Sequence, residues 1–293
     1  MADSAKSGTF DFVSAALFDE SDESASFFSS GNMQAASNEP PLLSLFEKFR
    51  FSDIVVLKTA DSDASVSSGF QSNHPSNLSD LSKLSSKLSF YSGVEMSPSS
   101  TGDLTSQMQK FRKKADFLSV RSADEKIIRA AVESNHIDLI NPISISVRDN
   151  GYGRGSSYNT AIGQINHIVA KLAADNHLAF GFDLFPFLQT RGFRRSKLLA
   201  GVFEMIPILQ KYDVPILVFS GAKSVYDLRD SYALVAFGKL LGLSEADAKK
   251  AVYDSPKTVI DERRKILSGL KLSNGVEIEE LDINVGDKDK GEI

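Results

Sequence analysis

Cysteine and tryptophan are absent from the 293 residues, and histidine occurs only four times. The lack of cysteine excludes a disulfide framework, a thiolate metal site and a thiolate nucleophile, and it fits a reducing compartment. No apolar run approaches the ~20 residues that a membrane-spanning helix needs. The N-terminus also lacks the basic-then-apolar pattern of a signal peptide. We therefore expect a cytoplasmic protein that has no membrane partner.

Motifs of nucleotide-binding and metal-dependent enzymes are missing as well. No GxGxxG follows the first predicted strand, and no GxxxxGK[ST] occurs anywhere. His74, His136, His167 and His177 form no HxH or HxxxH pair of the kind that clustered metal ligands produce. Asp183 ends a predicted strand but has no evident partner ligand. The sequence therefore predicts neither a catalytic residue nor a metal ligand set nor a cofactor held by the protein.

Charge is spread unevenly along the chain, although the total is only −5. Residues 1–108 carry a net −8, residues 109–268 carry +7, and residues 269–293 carry −4. A basic segment between two acidic ones is a pattern found in polyanion-binding proteins. Local fluctuation of composition is the alternative that charge alone leaves open.

Apolar periodicity divides the chain into one large domain with polar ends. We predict a flexible tail over 1–8, a single domain over 9–267 and an acidic C-terminal tail over 268–293. A Ser-rich insertion of about 60–89 interrupts the domain, since 16 serines lie in residues 60–106. The hydrophobic fraction of 42% is sufficient for a substantial core.

Predicted strands and helices alternate along this domain, which is typical of a (β/α) barrel or of an open doubly wound sheet. After a Gly-rich basic loop, apolar spacing predicts a helix over 159–175. Pro207 is expected to kink or split a helix over 192–213. Two further helices, 245–253 and 257–267, are predicted on either side of Ser255-Pro256.

Three groups of cations follow predicted strands, and a parallel barrel brings the carboxyl ends of its strands to one rim. Converging cations make phosphate contacts, and the nearby Phe187 and Phe193 are suited to stacking on unpaired bases. We therefore predict an RNA-binding rim, with a solvated basic helix face as the alternative. Its members are Arg148 and Arg154, then Arg191, Arg194, Arg195 and Lys197, then Lys223 and Arg229.

A short polar loop follows the last predicted strand. Ser220, Gly221 and Ser224 form an alternative phosphate-binding loop, in which backbone amides cradle the anion and Lys223 supplies charge. The loop does not match the GxSxG pattern of a nucleophile elbow. A tight turn in which Ser224 caps the next helix is the simpler interpretation.

Three stretches in this order and spacing resemble a known family. They are VRSADEKIIRAAVESNHIDLINP (120–142), INHIVAKLAADNHLAFGFDLFPFL (165–188) and KYDVPILVFSGAKSVYDLRD (211–230). The chain is similar from about 115 to 265 to ribonuclease P protein component 3, the archaeal counterpart of the eukaryotic p30 subunit. The resemblance implies an α/β fold, a distorted TIM-like (β/α) barrel related to phosphoesterase barrels.

The resemblance also implies a function. The complex removes the 5′ leader from precursor tRNA, and its RNA subunit holds the catalytic Mg²⁺. The expected partners are ribonuclease P RNA, precursor tRNA and other ribonuclease P proteins, especially component 2. One departure is Phe185, because members of the family often have arginine there, which removes one expected cation from the rim.

Two enzyme classes remain as alternatives. One is a metal-dependent phosphoesterase with its site around Asp183 and His177. The other is a small-molecule (β/α) barrel enzyme that binds a phosphorylated substrate at Ser220 to Lys223. The first predicts activity that chelation abolishes, and the second predicts saturable binding of a small phosphate ligand.

Overall fold

The computed structural model describes residues 10–14, 41–60, 87–112, 115–134, 136–148 and 157–268. The predicted N-terminal tail, most of the Ser-rich insertion and nearly all of the predicted acidic C-terminal tail lie outside these residues. The division of the chain at 8, 267 and 268 therefore stays a prediction.

Seven parallel strands form one sheet in the order β1-β2-β3-β4-β5-β8-β9, and β6 and β7 form a separate antiparallel pair. Most residues of these strands are buried, as expected for a parallel sheet covered by helices. The strands are β1 Phe10–Ser14, β2 Asp53–Ala60, β3 Ser89–Met96, β4 Phe117–Arg121, β5 Leu139–Asn141, β6 Ile143–Arg148, β7 Ser157–Ile162, β8 Ala179–Asp183 and β9 Ile216–Phe219.

Helices follow most of the strands, and a 3₁₀ turn at Val225–Asp227 follows β9. Polar side chains cap several of their N-termini; Ser244, for example, accepts from the amide of Asp247. The helices are α1 Pro41–Lys48, α2 Thr101–Phe111, α3 Glu125–Glu133, α4 His167–Asp175, α5 Phe185–Gln189, α6 Phe193–Lys211, α7 Ser231–Leu240 and α8 Glu245–Leu267.

The sheet curls until its two edge strands meet, but they are not paired along their length. The amide of Gly221, just beyond β9, donates to the carbonyl of Phe12 in β1 at 3.0 Å. The described strands thus form a nearly closed, distorted barrel, and the predicted TIM-like class is confirmed.

Apolar side chains fill two separate layers. The inner layer lies within the barrel and contains Phe12, Phe117, Leu217 and Phe219. Val259 and Ile260 of α8 belong to the same inner cluster. Because α8 packs against β1 and β9, it contributes to the barrel core as well as to the outer layer between sheet and helices.

The predicted helix over 159–175 is wrong in its first half. Residues 157–162 form β7, which pairs with β6 from Ile143 opposite Ile162 to Arg148 opposite Ser157. Helix α4 begins only at His167, where the Asn166 side chain accepts from the amide of Val169. Cross-strand pairing with β6 outweighs the helical spacing of these apolar residues, a contact that local periodicity does not contain.

The predicted break at Ser255-Pro256 is also wrong. Helix α8 runs through Pro256 for 23 residues, because buried Val252, Val259 and Ile260 hold both halves against the barrel. Helix α6 likewise continues through Pro207. Pro207 lies on the exposed face, where water can bond to the carbonyl that the missing N–H leaves free.

Candidate nucleic-acid interface

A buried ion pair occupies the mouth of the barrel, at the carboxyl ends of four neighbouring strands. Arg121 Nη2 donates to Glu95 Oε2 at 2.8 Å and to Asp183 Oδ2 at 2.9 Å. The second Asp183 oxygen accepts from Asn141 Nδ2 at 2.9 Å. Arg121 Nη1 donates to the carbonyl of Ile143 at 3.0 Å, so the guanidinium is held from three sides.

The charges of this network stabilise one another. Burial alone would lower the pKa of Arg121, but the Asp183 and Glu95 carboxylates outweigh burial and raise that pKa above its ordinary value. The guanidinium therefore stays charged and is shared by two carboxylates, of which Asp183 is 2% exposed and Glu95 is 16% exposed. Removing one sign of charge from such a network would leave the other uncompensated and would destabilise the fold.

The same geometry does not fit a divalent metal ion at the mouth. Arg121 already occupies the space between the two carboxylates, and a second cation would be repelled. Within the described segments, no group of three or more histidine, cysteine, aspartate or glutamate side chains is arranged to hold a metal ion. Among the described residues, the carboxylates at the mouth are therefore arranged around Arg121 and not as the ligand set of metal-assisted hydrolysis.

The predicted alternative of a metal site shared by Asp183 and His177 fails on distance. His177 precedes β8 and Asp183 ends it, so they lie at opposite ends of the strand, roughly 20 Å apart at ~3.3 Å per residue. His177 is exposed and adopts a left-handed φ of 53°. It belongs to the turn that enters β8, not to the mouth.

A second buried carboxylate joins the edges of the barrel, and the sequence pattern did not reveal it. Asp11 Oδ2 accepts from Ser220 Oγ at 2.6 Å, and Asp11 Oδ1 accepts from the Ser220 amide at 2.7 Å. Asp11 is fully buried. Burial raises the pKa of Asp11 to about 7, because desolvation outweighs these hydrogen bonds and the one from the Phe12 amide.

The alternative phosphate loop is used internally in this structure. Beyond the Ser220 contacts to Asp11, Gly221 donates its amide to Phe12 and Ala222 donates its amide to Ser220 Oγ. Ser224 donates its amide and hydroxyl to Asp227 and thereby caps the 3₁₀ turn. The geometry supports the tight-turn interpretation and not a cradle of amides open to an anion.

The cations that follow β8 lie on the surface as predicted. Arg191, Arg194, Arg195 and Lys197 are all exposed. Arg195 Nε donates to the carbonyl of Thr190 at 2.8 Å, which orients its guanidinium relative to the preceding loop. The first turn of α6 contains no acidic residue, so this group forms a concentrated patch of positive charge.

The cations that follow β9 are Lys223 and Arg229. Lys223 is exposed, and its Nζ lies 5.0 Å from the ring centroid of Phe185. Arg229 Nη1 donates to the carbonyls of Tyr226 and Leu228. Phe185 occupies the position where members of the family often have arginine. It is buried, and its ring contacts Lys223, so Lys223 places a cation next to this position.

Contacts between the two loops bring these groups together. Besides the Lys223–Phe185 contact, Gln189 Nε2 donates to Asp227 Oδ1 at 3.5 Å. Of the third predicted group, Arg148 ends β6 with a side chain outside the described set, and Arg154 lies wholly outside it. These contacts place the segment after β9 against α5, the helix that directly precedes the Arg191–Lys197 group, and the two cation groups are here together called the β8–β9 rim. Its members are Arg191, Arg194, Arg195, Lys197, Lys223 and Arg229.

One of the two aromatic candidates is buried and the other is exposed. Phe187 is 4% exposed and packs edge-on against Phe237, with the ring centroids 5.1 Å apart. Phe193 is 83% exposed. The prediction that both rings stack on bases is therefore wrong for Phe187, which is a core residue.

Fold and surface define a class: a distorted TIM-like barrel with an ion pair in its mouth and cations along its rim. A family model described as RNase P subunit p30 matches residues 32–266. The chain belongs to this family.

Relatives named ribonuclease P protein component 3 are similar to this chain. The relative from Methanosarcina mazei is 31% identical over 192 residues, which are 64% of this chain and 74% of the relative. The relative from Methanosarcina acetivorans is 30% identical over 192 residues with the same shares. The resemblance drawn from the three sequence stretches is confirmed.

A solved chain supports the fold independently. It belongs to the cryo-EM structure of archaeal ribonuclease P with mature tRNA and superposes with a TM-score of 0.61. The two chains are 23% identical, and the match covers 82% of this chain and 94% of that chain.

None of the helices within the described segments is both long and apolar enough to cross a membrane.

Proposed function

We propose that this protein is a subunit of ribonuclease P that binds the catalytic RNA and supports removal of the 5′ leader from precursor tRNA, without a catalytic site of its own. The observation that carries the proposal is the contrast between mouth and rim. The mouth, where barrel enzymes of this type bind substrate, is held by Arg121 and two carboxylates. The β8–β9 rim beside it presents six cations, all exposed except Arg229, which is partly buried.

The β8–β9 rim supplies the chemistry of phosphate binding. Arginine and lysine side chains that neutralise phosphates release counterions, which gives salt-sensitive affinity for RNA. Six cations on the start of α6, the residue pair before it and the segment after β9 provide several such contacts. Arg148 and Arg154, which follow β5 and β6 in the chain, are expected to extend it.

The partners follow from the family. Our proposal includes ribonuclease P RNA, precursor tRNA and other ribonuclease P proteins, with component 2 as the expected neighbour. The RNA subunit is expected to hold the catalytic Mg²⁺, and the protein to hold no cofactor. The lack of cysteine fits the cytoplasm, the compartment that we propose.

The test is to purify the tagged protein gently from its native cells, sequence the RNA bound to it, and assay the eluate for cleavage of precursor tRNA. The proposal expects one structured RNA and a cleavage activity that disappears after nuclease treatment. The Arg194→Ala/Arg195→Ala variant, purified in parallel, is expected to recover less RNA. Nuclease-resistant activity, or no bound RNA, would overturn the proposal in favour of a barrel enzyme.

A further inference from the structure

We propose that Phe193 is a stacking platform for an unpaired RNA base, held at the edge of the β8–β9 rim. This inference deepens the proposed function and rests on it. It names a feature of the RNA, a base free of its helical stack, that cations alone do not recognise.

The exposure of Phe193 is the first observation. Its side chain is 83% exposed, more than any other large apolar or aromatic side chain among the described residues. Burial of a phenylalanine ring stabilises a folded protein, and Phe193 gains almost none of that stabilisation. A single exposed apolar residue is ordinary on a protein surface, so its surroundings decide its meaning.

Those surroundings are cationic. Arg191 precedes Phe193 by two residues, and Arg194 and Lys197 follow it in the first turns of α6, all exposed. Cations near a helix N-terminus are electrostatically unfavourable, since that end carries a partial positive charge. The positive charge of the patch therefore destabilises the start of α6 but favours binding of an anionic partner. RNA is such a partner, because it combines negative phosphates with flat apolar bases.

A second exposed ring lies on the adjoining loop. Tyr226 is 68% exposed, and its carbonyl accepts from Arg229 of the same rim. The contacts of Lys223 with Phe185 and of Gln189 with Asp227 hold its loop against α5, the helix that ends four residues before Phe193. Two aromatic faces among cations are the arrangement by which proteins bind single strands.

Charge complementarity favours single-stranded RNA over the other occupants. A regular RNA duplex presents phosphates and 2′-hydroxyls but keeps its bases stacked inside, so it gains little from an exposed ring. An acidic protein partner would bind the same cations. In that case, replacing Phe193 would weaken binding of the protein partner and leave binding of RNA unchanged. The experiment below separates these occupants.

The absence of tryptophan makes a direct test available, because Phe193→Trp introduces the only indole fluorophore of the chain. We expect its emission to be quenched, in a saturable manner, by a 12-nucleotide single-stranded RNA and far less by a blunt RNA duplex of equal length. The matched control is Phe203→Trp, on the same helix and half-exposed, which we expect to be unaffected. Equal quenching by the duplex, or at Phe203→Trp, would overturn the proposal.

Affinity gives the second readout. A base stacked on an aromatic ring contributes about 1–3 kcal/mol, so Phe193→Leu should weaken binding of the single strand by about tenfold. Phe193→Tyr should retain it. The salt dependence should not change in either variant, because neither removes a charge.

The two levels of the argument fail differently. If Phe193→Leu binds single-stranded RNA as tightly as the wild type while Arg194→Ala/Arg195→Ala binds it weakly, stacking is wrong and the proposed function stands. If the wild type binds no RNA, the proposed function fails as well. If Phe193→Leu loses only a protein partner from the native complex, the ring belongs to a protein interface and the proposal is overturned.

Discussion

Asp11 accepts two hydrogen bonds from Ser220, from the hydroxyl at 2.6 Å and from the amide at 2.7 Å. The two residues are 209 positions apart in the chain. Together with the Gly221 amide bonded to Phe12, this contact joins the first strand to the end of the last. The barrel is therefore closed by a side chain where a regular barrel would have a ladder of backbone bonds.

The seam predicts an unusual dependence of stability on pH. The pKa of Asp11 is raised to about 7 in the folded protein, above the ordinary value of about 3.9. The folded state thus binds this proton more tightly than the unfolded chain does. Its contribution is complete below about pH 4 and is lost as the pH rises through about 7.

Asp11→Asn isolates this effect. The free energy of unfolding of the wild type should fall relative to that of the variant by on the order of 4 kcal/mol between pH 4 and pH 8. Urea unfolding at a series of pH values measures it, and Asp138, whose pKa burial raises to about 6, contributes equally to both proteins. Parallel pH profiles would show that Asp11 does not titrate in this range.

Arg121→Met should destabilise the fold strongly, because it leaves the buried carboxylates of Asp183 and Glu95 without their shared cation. Removing one partner of a buried pair costs about 3–5 kcal/mol. The matched control is Arg129→Met, which breaks an exposed pair with Glu133 on α3 and should cost about 0.5 kcal/mol. Similar losses in urea unfolding of the two variants would contradict the assigned role of Arg121.

Arg194→Ala/Arg195→Ala should weaken RNA binding and leave the fold intact. Loss of two phosphate contacts reduces the slope of log K against log salt by about 1.4 for a single strand. The control, Lys249→Ala/Lys250→Ala, removes two exposed cations from α8, away from the β8–β9 rim, and should leave that slope unchanged. An unaltered slope in the first variant would remove Arg194 and Arg195 from the interface.

Gly221→Ala should be more damaging than Gly192→Ala, although both glycines have positive φ, +60° and +54°. A Cβ on Gly221 would lie 2.7 Å from Cβ of Asp183, whereas nothing lies within 4 Å of one on Gly192. Gly192→Ala then costs backbone strain alone, about 1–3 kcal/mol, and Gly221→Ala adds an overlap of about 1–3 kcal/mol. Equal shifts of the urea midpoint would place the Asp183 side chain elsewhere.

Much of the fold was predictable because strands and helices alternate with clear boundaries. Apolar runs followed by polar residues mark the ends of β2, β8 and β9 in the sequence. The antiparallel pair β6–β7 was missed. Its two strands are separated in the sequence by residues 149–156, and the spacing of Ile162 and Ile165 is equally consistent with a helix.

The candidate site divides in the same way. The exposed cations after β8 and β9 were predictable, because sequence places them next to strand ends and a parallel barrel brings strand ends to one rim. The partners of Arg121 and the burial of Asp11 were not. Both depend on the curvature of the sheet, which brings the end of β4 close to the end of β8 and brings β1 close to β9. A local sequence pattern does not predict that curvature.

Phe187 and Phe193 show the limit most clearly. They are six positions apart and both lie near basic residues, so the sequence predicted a binding role for both equally. Helix α5 turns Phe187 inward against Phe237, and Gly192 directs the chain so that Phe193 begins α6 in solvent. The difference arises from the direction of two short elements and not from residue type.

Val259 and Ile260 of α8 lie in the inner cluster of the barrel with Phe12 and Phe219. During synthesis, the strands emerge first and the residues that complete their core emerge last. Until then, the growing chain has an apolar surface that lacks its cover, and such surfaces promote association between unfinished chains. The order of the chain thus makes protection of the nascent protein a requirement that lasts almost until translation of the barrel is complete.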